Sequence, residues 1–176
     1  MSAVSSTGFY VFSAVAILAT LLVVLQRSAV HALLWLIVSF LAIGGLLFVL
    51  GAPFVAALEV IIYAGAIMVL FVFVTMMVSP GSEASAAEAR WGLLRALVGP
   101  ALMGCLLVAE LVSVLTYSPA VLIAGEVVSP RTVAVALFGT YVLGVELASM
   151  LLLSGLVGAY HLGRRMLYRD REGEAS

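Results

Sequence analysis

The chain has 176 residues, 65% of them hydrophobic and only 10% charged, with a formal net charge of −1 and a mean hydropathy of +1.28. Soluble domains are about half apolar and about a quarter charged, so a soluble globular fold is excluded. One cysteine, Cys105, and two histidines, His31 and His161, argue against a disulfide framework and against a tetrahedral zinc site.

A membrane-spanning helix needs about 20 successive apolar residues, which leaves room for about five spans and little else. Charges, prolines and glycines divide the chain into five such segments, so the predicted fold is an all-α integral membrane bundle of five transmembrane helices in a single domain over residues 1–176. The first span covers about 8–26. It has no basic residue ahead of its apolar run and is as long as a full span, which predicts a retained helix rather than a cleaved secretory signal. The second covers about 29–50 and meets the third, about 54–78, across Gly51-Ala52-Pro53, a connection short enough to be a tight antiparallel turn. Residues 79–91 read as a polar loop. The fourth span covers about 92–117, aromatic at both ends and interrupted by Pro100, where a bend is expected. A second loop is expected over 118–132.

The apolar run that follows, from Thr132 to Leu162, is longer than a hydrocarbon core of about 30 Å requires. The fifth span is therefore placed at about 138–162, with Val133 to Thr140 lying along the interface or adding an oblique turn. A tail over 163–176 carries Arg164, Arg165, Arg169 and Arg171.

Arginine placement predicts orientation, because cytoplasmic loops retain positive charge. With the N-terminus outside and the C-terminus cytoplasmic, Arg27, Arg90, Arg95 and the four tail arginines fall inside and only Arg131 outside. Loop 79–91 and the tail are then cytoplasmic and loop 118–132 is external.

Ionisable groups inside apolar spans cost at least about 2.5 to 3.5 kcal/mol unless paired, hydrated or neutralised. Three qualify: Glu59, Glu110 and Glu146. Glu59 lies about 8 Å below the outer end of the third span, with no basic residue in that span. Tyr63, four residues on and on the same face, can extend a polar path from it. Gly65 follows, where glycine costs about 1 kcal/mol relative to alanine, so it admits either a close helix neighbour or a departure from α geometry such as a π-bulge. Glu146 is followed on its own face by Ser149 and Met150, and an interior polar role and a bland one stand level for it. Glu110, about 10 Å from the outer end of the fourth span, reads as an interfacial carboxylate.

Cys105 and Trp35 read as packing. So do the small-residue spacings Gly144/Ala148, Ser154/Gly158 and Gly155/Ala159, which allow close helix contact. There is no phosphate-binding glycine loop, no nucleophile with a base, and no cluster of soft metal ligands.

The third span, Glu59-Val60-Ile61-Ile62-Tyr63-Ala64-Gly65-Ala66-Ile67-Met68-Val69-Leu70-Phe71, closely resembles the third transmembrane helix of the J-type membrane subunit of proton-pumping NADH:quinone oxidoreductase, respiratory complex I. This is the bacterial counterpart of mitochondrial NADH dehydrogenase chain 6. The run Tyr141-Val142-Leu143-Gly144-Val145-Glu146-Leu147-Ala148-Ser149-Met150 resembles that family's last span.

The resemblance implies a multi-pass subunit of the bacterial cytoplasmic membrane with no redox centre of its own. FMN, iron-sulfur clusters and quinone would belong to partner chains. The partners it implies are the K-type subunit, the quinone-site subunit, the antiporter-like subunits and the lipid bilayer, with no nucleic acid. It further implies a translocase whose third helix, Glu59 to Met77, gates a water path by switching between π-bulged and regular α forms. The gate would comprise Tyr63, Ala64, Gly65, Ala66, Met68, Val69 and Phe71, and the proton path Glu59, Tyr63 and Glu146. Alternatives are the same subunit type in a ferredoxin- or hydrogenase-linked relative, and a haem-binding anchor using His31 and His161. An autonomous small transporter is disfavoured, since no internal repeat is visible.

Overall fold

The computed structural model describes the backbone of residues 3–26, 28–78, 86–117 and 127–173, and the side chains of 6–26, 28–77, 97–116 and 127–163. Among these residues every regular element is helical. Five stretches are long and apolar enough to cross a membrane: Ser6–Leu25, Ala29–Val49, Pro53–Met77, Leu97–Thr116 and Val142–Gly163. The protein is an all-helical, multi-pass membrane chain. Most of predicted loops 79–91 and 118–132 and the end of the tail lie outside the described residues, although α5 already begins at Ala86 and the last helix continues to Gly173. The chain divides into two compact units, Met1–Ser129 and Pro130–Ser176.

In the first unit, α1 (Ala3–Leu25) and α2 (Ala29–Val49) pair most extensively. Their core is Phe12, Val15 and Ala19 from α1 with Val38, Ala42 and Val49 from α2, joined by Leu107 and Val114 of α5 (Ala86–Tyr117). Gly45 makes the approach possible, because a β-carbon there would overlap the Phe12 ring. Trp35 packs against this core, and its indole fills the space left at Gly99 of α5. Only one buried polar side chain, Ser39, is found among the described residues, and it is satisfied across the interface by Thr20 at 2.8 Å. Cys105, expected to pack, is instead exposed on α5.

The tight turn after α2 is a left-handed glycine cap. Gly51 takes φ 91°, its N–H bonds to the Phe48 carbonyl at 3.1 Å, and the Ala52 N–H reaches back to Leu47 at 3.0 Å. Pro53 then occupies the first turn of the next helix, where a missing N–H costs nothing. The Gly51 carbonyl accepts the N–H of Val128 at 2.9 Å, tying this turn to the end of the unit.

The third span is not one α-helix. It runs as α3 (Pro53–Leu58), a π-helical segment π1 (Glu59–Ile67), and α4 (Met68–Val78).

In the second unit, α6 (Pro130–Val135) leads into a second π-helical turn, π2 (Ala136–Thr140), and then α7 (Val142–Gly173). The Tyr141 N–H bonds to the Ala136 carbonyl five residues back at 3.0 Å, and Tyr141 itself leaves helical geometry at φ −106°, ψ 21°. The over-long apolar run is thus divided by a wide turn and a break, and the membrane-length stretch begins at Val142.

Candidate functional site

An α-helix turns about 100° per residue, so side chains four apart drift by about 40° around it. A stripe of every fourth residue therefore cannot keep facing one neighbour along a straight α-helix. In the third span it does: Ala56, Ala64 and Met68 are the buried residues, and Val60, at the same spacing, sits against Gly44 of α2. The π segment reconciles the two. Its wider turn takes more residues per revolution and cancels the drift, so the stripe stays on α2.

The hydrogen bonds show the wide turn directly. The Met68 N–H points to the Tyr63 carbonyl, five residues back, and shares itself with Gly65. A β-carbon on Gly65 would lie 3.2 Å from the Val60 carbonyl oxygen, also five residues back. Of the two readings open for Gly65, the close neighbour is its own helix backbone in a π turn.

The residues named for the gate divide by environment. Ala64 and Met68 are buried on the α2 side, Gly65 is half-buried, and Tyr63, Ala66, Val69 and Phe71 are exposed. From Val69 to Met77 no residue is buried. The bulky residues beyond the wide turn thus stand on a face this unit leaves open.

Glu59 is half-buried at the head of π1, where its Cγ lies 4.0 Å from the position a Gly44 β-carbon would take. Tyr63 meets the Phe40 ring, one α2 turn away, at 5.4 Å between centroids and 42° between planes. The two residues of the expected polar path therefore flank the same edge of α2. Phe40 and Gly44 were not singled out from the sequence, although the Gly44-Gly45 pair inside an apolar helix was a visible signal of close packing.

Glu146 is exposed on α7, about 6 Å from the start of its span. The Ser149 hydroxyl donates to the backbone carbonyl of Glu146 at 2.7 Å, not to its carboxylate. Glu110 is half-buried with Oε1 3.4 Å from where a Gly8 β-carbon would stand, which places it between α5 and α1. His31 lies on α2 and His161 on α7, and no group of three potential ligands for a metal ion occurs among the described residues.

The family model for NADH-ubiquinone/plastoquinone oxidoreductase chain 6 matches residues 19–162. A protein of Escherichia coli named NADH-quinone oxidoreductase subunit J is 48% identical over 167 residues, covering 95% of this chain and 89% of its own length. One of the same name from Pseudomonas aeruginosa is 51% identical over 159 residues, covering 90% and 96%. A third, from Buchnera aphidicola of Schizaphis graminum, is 42% identical over 156 residues, covering 89% and 96%.

Proposed function

The chain belongs to the NADH-ubiquinone/plastoquinone oxidoreductase chain 6 family, and from that premise we propose that it is the J-type membrane subunit of a bacterial NADH:quinone oxidoreductase, with the third span as its gate. The complex couples electron transfer from NADH to quinone with proton translocation in the cytoplasmic membrane. This chain contributes no redox group. FMN, iron-sulfur clusters and quinone belong to other subunits, and its neighbours are the K-type, quinone-site and antiporter-like subunits.

The observation that carries the gating reading is the π segment itself, Glu59–Ile67, which coincides with the Glu59, Tyr63 and Gly65 positions. A π segment is a costly departure from α geometry and recurs at functional sites. Reverting to α geometry rotates everything downstream by about one residue, or about 100°. That moves Met68 out of its buried position and swings Val69 and Phe71 to new directions, opening or closing a path beside Glu59 and Tyr63. Glu146, on the last span, is proposed as a second proton-carrying carboxyl.

The test is made on the whole complex in membrane vesicles. Gly65→Val retains NADH oxidation by ferricyanide, which reports the peripheral arm, while quinone-linked proton pumping falls. Pumping at the parental rate in that variant would remove the gate from the mechanism.

A further inference from the structure

The two halves of the third span are held very differently, and α2 is the cause. Upstream, Val60 Cγ2 would stand 3.0 Å from a β-carbon on Gly44, with the Ala56 carbonyl oxygen at 3.5 Å and Glu59 Cγ at 4.0 Å. One turn along α2, the Phe40 ring meets Tyr63. The same half is joined to α2 through the Gly51 cap, whose hydrogen bonds fix the entry of the chain into Pro53. Downstream, Ala64 and Met68 are buried, and the described residues of this span after Met68 are half or fully exposed.

We infer that Gly44 and Phe40 are positioning residues that hold the upstream half of π1, Glu59 to Tyr63, so that any change of turn is expressed in the residues after Gly65. The inference rests on the gating reading of the third span, in which the downstream residues rotate, and names what holds the upstream half. A switch between a five-residue and a four-residue hydrogen-bond spacing must rotate one half of the helix against the other. The half tied to α2 by the Gly51 cap and by the Val60 contact at Gly44 is the costlier to move, because packed interfaces have discrete arrangements. Glu59 and Tyr63 then stay in place while Val69 and Phe71 swing. A methyl group at Gly44 meets the Val60 side chain at 3.0 Å, which has to shift, while the Ala56 carbonyl oxygen at 3.5 Å stays in ordinary contact.

The experiment compares Gly44→Ala, Gly44→Ala with Val60→Ala, Phe40→Leu and Gly65→Val in vesicles containing the whole complex. NADH:ferricyanide activity together with an immunoblot of this chain in the purified complex measures assembled complex, and quinone reduction and proton pumping are expressed per unit of it. The expected result for Gly44→Ala is unchanged content with turnover and pumping lowered roughly threefold or more, the scale of mutations that disturb coupling. Adding Val60→Ala, which removes the methyl group in the way, restores turnover.

A loss of content with normal turnover per complex, or no rescue by Val60→Ala, overturns the positioning role. Normal turnover in Gly44→Ala beside an impaired Gly65→Val overturns it while leaving the gate standing, whereas normal turnover in both overturns the gate itself. Should Gly44→Ala not assemble, Phe40→Leu, which deletes a ring and adds no atom near the backbone, carries the same comparison.

Discussion

The α-carbon of Gly65 stands so close to the Val60 carbonyl that a β-carbon on it would lie 3.2 Å from that oxygen. Glycine relieves this contact and alanine does not, so Gly65→Ala favours the regular α form without adding polar or bulky groups. It also gains about 1 kcal/mol of helix propensity. Gly65→Ala is expected to assemble normally and to slow proton pumping, with Gly65→Val more severe. Vesicle acidification normalised to NADH:ferricyanide activity measures both, and an alanine variant that pumps at the parental rate would show that the oxygen yields without changing the turn.

The proposed proton path distinguishes Glu59 from Glu110. Both are half-buried, but Glu59 lies against Gly44 in the third span and Glu110 beside Gly8. Glutamine keeps the shape and cannot exchange a carboxyl proton. Glu59→Gln is expected to lower quinone-linked pumping by about a hundredfold, the lower end of the effect of losing a positioned acid or base. Glu110→Gln leaves it within a factor of about two, since a loss near 1.4 kcal/mol would be needed for tenfold. Equal effects of the two would refute the assignment.

The Thr20–Ser39 hydrogen bond at 2.8 Å crosses the α1–α2 interface in the first unit, with Ser39 buried and Thr20 also donating to the Ala16 carbonyl. Interhelical hydrogen bonds in membranes average about 0.6 kcal/mol. Ser39→Ala is therefore expected to lower the thermal inactivation midpoint of the complex slightly and to leave pumping unchanged at growth temperature. A large activity loss without destabilisation would assign Ser39 another role.

Gly51 takes φ 91° in the cap that joins α2 to the third span. A side chain in left-handed geometry costs about 1 to 2 kcal/mol. Gly51→Ala is expected to reduce the amount of assembled complex in the membrane, read by immunoblot of this chain, and Gly51→Asn to reduce it less because asparagine tolerates that region.

The arginine bias predicts a cytoplasmic C-terminus, on the same side as Arg27. A green fluorescent protein fused after Ser176 is expected to fluoresce, and alkaline phosphatase at the same position to be inactive. The reverse pattern would invert the topology.

Five apolar runs, the glycine-proline turn at Gly51 and Pro53, and the unusual placement of Glu59, Tyr63 and Gly65 were all legible in the chain alone. They depend on composition and local spacing, because a bilayer admits only segments that satisfy their own backbone hydrogen bonds. The over-long segment after Thr132 was visible too, but not its solution, a second wide turn closing on Tyr141. Cys105, read as packing, lies on an exposed face because which side of α5 is covered depends on its neighbours.

What only the tertiary structure decided is which form the third span takes and what it rests on. A run such as Val60 to Phe71 is apolar on every side, so no periodicity within it selects a face or a turn. The choice is made across the interface. α2 offers a notch at Gly44 and a ring at Phe40, and a stripe of every fourth residue can stay on that surface only if the helix widens. The sequence by itself determined that Gly65 could accommodate such a turn, and packing against α2 decided that it does.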